Sequence, residues 1–263
     1  MSSGNRAVAA TSGSRRAGAR GPRDLLLACA LTVALAACGQ SKPDVPSDSI
    51  ANGPDPATYR YSCTGAPGFL PALFDQPATA ELEDHPSATA LRAFLGDDAF
   101  GLGFLPDSGW WLVSRSDTEA QYIARIPGSV ESPFGYVTMQ STGASWGFSG
   151  GGDCLPEIMV DGRVPAIWTL PPDRPFPDPS TVEFTALVTD RICTGGEPVG
   201  ERLFPPVLTF TATSVFIVFS ARPYWGVTTC QGKPSTEVTV RMREPLGDRK
   251  LLDAGVFPPT DPR

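Results

Sequence analysis

Apolar and polar residues alternate along several short segments of the chain. At 236–242 the side chains of Val238, Val240 and Met242 alternate with polar ones, and a similar pattern covers 181–189. Strict alternation is typical of β-strands that bury one face. Further strands are predicted between turn residues at 110–114, 120–126, 136–141, 144–148, 166–170, 207–210 and 215–222.

One segment has the periodicity of a helix instead. Leu91, Phe94 and Leu95 fall on one face of a helix predicted over 87–95, with Pro86 near its start and Gly96 at its end. The chain is therefore predicted to be mainly β, as an α+β fold with one N-terminal helix and antiparallel sheets.

Turn residues and prolines divide the predicted strands into two groups. The strands from 110 to 148 are predicted to form a meander, followed by a glycine loop at 150–153 that leads to Cys154. Segment 171–179 holds five prolines in nine residues, which indicates an extended linker. We therefore predict two small subdomains, at 57–170 and 180–259, on either side of this linker.

The first 37 residues have the composition of an export signal. Five arginines precede an apolar run at 25–37 that only Thr32 interrupts. This run is too short to cross a bilayer, which takes about 20 apolar residues. Residues 1–37 are therefore predicted to be removed, and the polar residues 38–56 to form a flexible stalk.

The end of this signal resembles the lipobox of bacterial lipoproteins. Leu35-Ala36-Ala37-Cys38-Gly39 supplies the small residues before the cut and the cysteine that takes the lipid. The resemblance implies a chain anchored to the cell membrane through Cys38, on its extracytoplasmic face. An ordinary secretory signal is the alternative, and export by the general or the twin-arginine route stays open.

Loss of the signal makes the chain strongly acidic. Removing five arginines and one aspartate from 21 basic and 28 acidic residues leaves 16 and 27, a formal charge of −11. Such a surface repels nucleic acid, so the predicted partners are an envelope protein or a glycan, besides the membrane reached by the lipid anchor.

Four cysteines remain in the folded part, and an oxidising compartment favours two disulfides among three connectivities. We favour Cys63 with Cys154 and Cys193 with Cys230, because the second pair closes one compact C-terminal unit. A zinc site is the alternative, but the cysteines lack the paired C-x-x-C spacing of such sites.

Four motifs in the last third of the chain resemble the C-terminal half of uncharacterised actinobacterial cell-envelope lipoproteins. They read Asp-Arg-Ile-Cys-Thr-Gly-Gly at 190–196, Cys-Gln-Gly-Lys-Pro-Ser-Thr at 230–236, Glu-Pro-Leu-Gly-Asp-Arg at 244–249 and Leu-Asp-Ala-Gly at 252–255. The resemblance implies no activity, and the glycines and prolines of these motifs favour turns.

Catalytic motifs are weak. The segment 143–147 matches the G-x-S-x-G pattern around Ser145, but glycines follow where a helix is needed and the only histidine, His85, precedes the serine. We therefore predict no catalytic residue, no metal site and no cofactor. Paired carboxylates remain as the basis of an alternative hydrolase function, and the candidates are Asp153, Glu157, Asp161 and Glu183.

Tryptophans are the remaining candidates for binding. Trp110 and Trp111 are adjacent on a predicted strand and must point to opposite faces, so at least one leaves the main core. Trp225 stands in the loop before Cys230. We predict an aromatic contact surface of Trp110, Trp111 and Trp225, with core packing as the alternative.

These patterns favour a non-enzymatic, lipid-anchored binding or scaffolding protein of the bacterial cell envelope. The alternative is a carboxylate-dependent envelope or carbohydrate hydrolase, which needs two carboxylates facing each other in an aromatic-lined cleft. A substrate-binding lipoprotein of a transporter is a third hypothesis, although such proteins usually have two α/β lobes.

Overall fold

Two β-sheets and one α-helix make up most of the computed structural model, which describes residues 52–97, 101–226, 229–230 and 232–263. The predicted signal, Cys38 and most of the stalk lie outside the described residues. The helix is α1 (Pro86–Leu95), and the strands are β1 (Tyr61–Ser62), β2 (Trp110–Arg115), β3 (Glu119–Arg125), β4 (Phe134–Ser141), β5 (Trp146–Cys154), β6 (Glu157–Ile158), β7 (Val164–Thr169), β8 (Glu183–Asp190), β9 (Val207–Phe210), β10 (Ser214–Ala221), β11 (Thr236–Arg241) and β12 (Lys250–Asp253).

The chain is mainly β with antiparallel sheets, as its hydrophobic pattern predicts. Strands β2 to β5 form a meander, here called the first sheet, in the order β2-β3-β4-β5. Helix α1 begins at Pro86, one residue before the predicted start, and packs its buried Leu91 and Phe94 into one core cluster with side chains of this sheet. The amphipathic face of the helix is therefore buried against the sheet.

The glycine run at 150–153 belongs to β5, so the loop predicted there is wrong. Gly150, Gly151 and Gly152 pair with Thr138, Val137 and Tyr136 of β4. A Cβ atom on Gly151 would stand 2.7 Å from the carbonyl oxygen of Tyr136, which leaves room only for glycine. The sequence misled because glycines have no side chain to show the alternation of a strand.

The second sheet is built from β11-β8-β7-β10-β12, with β9 also paired to β10. The hairpin of β9 and β10 is as predicted, and β12 joins β10 in parallel. Strand β7 comes from the segment predicted as the N-terminal subdomain, yet it lies between β8 and β10. The proline-rich segment 171–179 therefore connects neighbouring strands of one sheet.

Three clusters of buried side chains form the core. One lies under α1 and one contains side chains of the second sheet, including Trp168. The third joins Ile123 and Phe134 of the first sheet with Val218 of the second. Because it draws on both sheets, this third cluster holds them together by burying apolar surface between them.

The four cysteines form two disulfides. Cys63 bonds to Cys154 at the end of β5, and Cys193 bonds to Cys230. The favoured pairing is therefore confirmed. The first bond ties the segment after β1 to the first sheet, and the second closes a loop beside the end of β8.

Candidate functional site

A groove of about 620 Å³ lies beside the Cys63–Cys154 disulfide, and we call it the β1–β6 groove. Its volume is within the range of small-molecule sites, about 300–1,000 Å³. Its walls are residues 62–65, 155 and 157–165.

Backbone pairing fixes the shape of the groove. Strands β1 and β6 pair with each other, and the amide of Met159 donates to the carbonyl of Arg60 at 2.8 Å. On its other side β6 is held by the amide of Ile158, which donates to the carbonyl of Gly255 at 3.0 Å. The wall formed by β6 is therefore hydrogen-bonded both to β1 and to the chain after β12. The Cys63–Cys154 disulfide also links the groove wall to β5.

A tight turn carries two charged side chains of the groove wall. The amide of Arg163 donates to the carbonyl of Val160 at 3.1 Å, and Gly162 has a φ of 65°. A φ in this range favours glycine, so the Asp-Gly pair suits the turn. The turn places Asp161 and Arg163 at the groove, both exposed.

An aromatic ring positions one of these charges. The guanidinium carbon of Arg163 lies 3.9 Å from the centre of the Phe204 ring. Phe204 is itself fixed, because its amide donates to the carbonyl of Ser220 in β10 at 2.9 Å. Stacking of this kind orients the guanidinium plane and leaves its N–H edge available.

A second arginine joins the groove to the second sheet. Arg191, directly after β8, donates from Nη1 to Oε1 of Glu157 at 2.6 Å. The Arg191 side chain is 14 % exposed and that of Glu157 is 40 % exposed. This ion pair is therefore partly shielded from water, and it holds Glu157 in place on the groove wall.

Asp253 on β12 is a buried acid on which the positive charge of Arg191 acts. Burial raises its pKa to about 6, while the Gly255 amide, which donates to its Oδ1 at 2.8 Å, and the positive charge of Arg191 act in the opposite direction. Only 2 % of Asp253 is exposed, so it cannot contact a ligand directly.

The three tryptophans predicted as a contact surface have different surroundings. Trp110 is completely buried in the core under α1, so it is not part of an exposed surface, and the prediction is corrected there. Trp111 is half-buried, with its indole N–H donating to the carbonyl of Gln76 at 2.8 Å and its ring at 4.9 Å from that of Phe74. Trp225, after β10, is 91 % exposed.

Both faces of the first sheet are covered, which explains the correction. Trp110 faces the cluster under α1, whereas Trp111 packs against the cluster shared by the two sheets. Adjacent strand residues do point to opposite faces, but here each face meets a core. Trp225 alone among the three stays a candidate contact residue.

The serine of the G-x-S-x-G pattern lies in the exposed turn between β4 and β5. The amide of Thr142 donates to the carbonyl of Ser145 at 2.9 Å, which closes the turn. His85 instead caps α1, with Nδ1 at 2.7 Å from Oγ of Ser87. The hydrogen bonds of His85 therefore serve the helix rather than Ser145.

Two of the four candidate carboxylates line the same groove. Glu157 and Asp161 are both wall residues of the β1–β6 groove. Asp153 is on β5, and Glu183 forms an exposed ion pair with Arg241 at 2.8 Å. The described wall residues are aliphatic, polar or charged, and none of them is aromatic.

Arg163 on the groove wall and Phe204, the ring on which it stacks, are residues that sequence patterns do not indicate. The Asp-Gly pair before Arg163 signals a turn, but the partner ring comes from a distant part of the chain. Such a contact depends on the path of the backbone, for which no local signal exists.

Within the described ranges, no three His, Cys, Asp or Glu side chains lie close enough together to hold a metal ion. No helix in the same part of the chain has the length and apolar character needed to cross a membrane. Comparison of the chain with protein-family models, with curated protein sequences and with solved structures finds no match.

Proposed function

We propose that the chain is a lipid-anchored binding protein on the extracytoplasmic face of a bacterial cell membrane, and that its ligand enters the β1–β6 groove. The observation that carries the proposal is the construction of this groove. A disulfide, paired strands and a partly shielded ion pair all fix its walls. Walls held in this way lose little conformational freedom when a ligand binds.

The position of the groove relative to Gly53, near the first described residue, supports this function. The chain enters along β9, where the amide of Gly53 donates to the carbonyl of Leu208 at 2.8 Å. Phe210 of β9 pairs with Val215 near the start of β10, whereas Val164 of the groove pairs with Ala221 at its end. Six residue-to-residue steps along β10 separate these points, a distance of about 20 Å.

A tether at one end of β10 leaves the other end free. The fourteen residue-to-residue steps from Cys38 to Asn52 can span at most about 50 Å. An anchored chain would therefore remain near the membrane with its groove accessible to envelope molecules. Two disulfides also suit an oxidising compartment outside the cytoplasm.

Hydrolysis is the second candidate function, because Glu157 and Asp161 line one groove. A carboxylate pair is the usual machinery of glycoside hydrolysis. However, Glu157 is bound to Arg191, and the wall residues provide no aromatic ring on which a sugar could stack. We therefore favour binding over hydrolysis.

Lipid anchoring is tested by metabolic labelling with a palmitate analogue. The Cys38→Ser variant should lose the label and leave the membrane fraction. Cys29→Ser is the matched control, because Cys29 lies in the predicted signal and its loss should leave labelling unchanged. Equal labelling of both variants would contradict anchoring at Cys38.

Binding in the groove is tested with a photo-crosslinking amino acid at position 161 of the lipidated chain in native envelopes. Asp117, an exposed aspartate in the β2–β3 turn of the first sheet, provides the matched control position. We expect one reproducible adduct from position 161 and not from position 117. The same adducts from both positions, or none from 161, would refute the groove as the binding site.

A further inference from the structure

We propose that Arg163 recognises an oxyanion, a carboxylate or a phosphate, on the ligand of the β1–β6 groove. The inference rests on the function proposed above, and it specifies the chemistry of the ligand. It makes Arg163 the binding residue and Phe204 the residue that positions it.

The guanidinium of Arg163 is oriented before any ligand arrives. It lies 3.9 Å from the centre of the Phe204 ring, and the Phe204 backbone is hydrogen-bonded to β10. Leu203, the residue before this ring, also pairs with Ala221 at the end of β10. The ring is therefore a fixed support, and the arginine loses less side-chain freedom on binding.

The N–H edge of this guanidinium is not used by the protein. Among the residues that the structure describes, no carboxylate lies within 4.0 Å of it and no acceptor forms a hydrogen bond with it. Asp161 is on the same turn but forms no ion pair with it, and Glu157 already accepts from Arg191.

Arg243 is a stacked arginine with a carboxylate near its guanidinium. Its guanidinium is also stacked, at 4.7 Å from the centre of the Phe210 ring, but its Nη2 lies 3.8 Å from Oε1 of Glu244. Arg163 has the same aromatic support without a carboxylate partner. The two residues therefore differ in the feature that an anionic ligand would use.

The shape of a guanidinium matches an oxyanion. Its parallel N–H groups donate to two oxygens of one carboxylate or phosphate, and such charge-assisted pairs are stronger than neutral hydrogen bonds. The chain as a whole has a formal charge of −7 and therefore repels anions. An unpaired arginine on a groove wall can attract one anionic group of a ligand to that position. Carboxylate and phosphate share this chemistry, so the test includes both.

The first test uses the full lipidated chain in detergent micelles, labelled with ¹⁵N-arginine. The Nε–Hε signal of Arg163 is identified by its loss in Arg163→Lys, and that of Arg243 by its loss in Arg243→Lys. Inorganic phosphate and sodium acetate are titrated separately at constant ionic strength. We expect a saturable shift of the Arg163 signal with at least one of the two anions.

The control signal and a variant of the ring complete this experiment. The Arg243 signal should show no saturable shift, and Phe204→Leu should weaken anion binding at Arg163 about fivefold or more, with the other arginine signals in their original positions. The anion that binds more tightly identifies carboxylate or phosphate as the ligand group. If neither anion saturates the Arg163 signal, or if Arg243 responds equally, the proposal is wrong.

The second test separates this inference from the proposed function. The photo-crosslinking residue at position 161 is combined with Arg163→Gln or with Arg243→Gln. Adduct formation should fall about tenfold in the first combination and stay unchanged in the second, because one charge-assisted bidentate contact is lost. An unchanged adduct with Arg163→Gln would overturn the role of Arg163 and leave groove binding intact, whereas failure of every adduct would refute the proposed function.

Discussion

At the scale of single residues, the environment of a charge decides what it does. Arg163 and Arg243 are both stacked on phenylalanine rings, but only Arg243 has a carboxylate within 4 Å in the described structure. Glu157 and Asp253 differ as well, since one is a half-exposed member of an ion pair and the other is buried. Residue type alone does not reveal these differences.

Asp253 predicts a pH dependence of stability. Burial raises its pKa from 3.8 to about 6, so folding favours the neutral acid. Its contribution to stability is complete below pH 3.8 and is lost as the pH rises through about 6. The difference amounts to about 3 kcal/mol at most.

The Asp253→Asn variant should therefore become more stable than the wild type as the pH rises, since asparagine keeps the oxygen that accepts from Gly255 and carries no charge. Urea denaturation at pH 4.5 and pH 7.5 measures the free energy of unfolding of both proteins. Asp161→Asn, at an exposed aspartate, is the control. Parallel pH profiles for the wild type and Asp253→Asn would show that the buried carboxyl does not titrate as inferred.

At the scale of elements, helix α1 depends on the cap that precedes it. Nδ1 of His85 accepts from the amide of Ser87 at 3.2 Å and lies 2.7 Å from Oγ of Ser87. The same Oγ lies 2.6 Å from the hydroxyl oxygen of Tyr122 in β3. The cap is therefore linked to the first sheet by side-chain hydrogen bonds.

Loss of this cap should destabilise the protein. His85→Ala should lower the free energy of unfolding by about 1 kcal/mol, because an amide at the start of the helix loses its acceptor. His85→Asn is the matched variant, since asparagine is a good N-cap residue and should recover most of the loss. Thermal unfolding compares the two, and equal losses would indicate that packing against Trp146, rather than capping, is the role of His85.

The glycine run of β5 gives a second prediction at this scale. Gly151→Ala should destabilise the protein by about 1–3 kcal/mol, because its Cβ would stand 2.7 Å from the Tyr136 carbonyl oxygen. Gly147→Ala, in the same strand, should change stability by about 0.5 kcal/mol or less, because no atom lies within 4 Å of its added Cβ. Denaturant unfolding distinguishes the two variants, and equal losses would rule out the close approach as the cause.

At the scale of the whole molecule, the disulfides restrict the unfolded chain. The Cys63–Cys154 bond joins residues separated by 91 positions, and the Cys193–Cys230 bond joins residues separated by 37. In the loop-entropy description, a longer loop gives greater stabilisation, and the two bonds differ by about 0.8 kcal/mol.

Replacing the first pair by serines should therefore cost more than replacing the second. We expect losses of about 2–5 kcal/mol for each pair, with the larger one for Cys63 and Cys154. The midpoints of urea denaturation of the two double variants, measured side by side, provide the comparison. A greater loss from the Cys193 and Cys230 variant would show that contacts in the folded state outweigh loop length.

Local patterns were sufficient for the elements that bury one face. The alternation at 236–242 predicted β11, and the apolar residues of α1 with Pro86 and Gly96 predicted the helix and its ends. The oxidising compartment predicted two disulfides, and the compactness of the C-terminal unit favoured the pairing that the structure shows. These features depend on side chains near one another in sequence or on a small number of alternatives.

Those local patterns do not show which strands pair with each other. Strand β7 has the same local appearance in either subdomain, and only its pairing with β8 and β10 assigns it to the second sheet. Trp110 and Trp111 were placed on opposite faces correctly, but the sequence does not show that both faces are covered by other parts of the chain.

The sequence by itself predicted most of the long strands and the helix and favoured the disulfide pairing that the structure shows, and it predicts a lipid anchor at Cys38. Only the tertiary structure decided which strands share a sheet, which tryptophan is exposed and where Arg163 meets Phe204. The physical reason is the sequence separation of the residues involved. Periodicity depends on the burial of one face of a single segment, whereas a groove is formed by distant segments that come together when the whole chain folds.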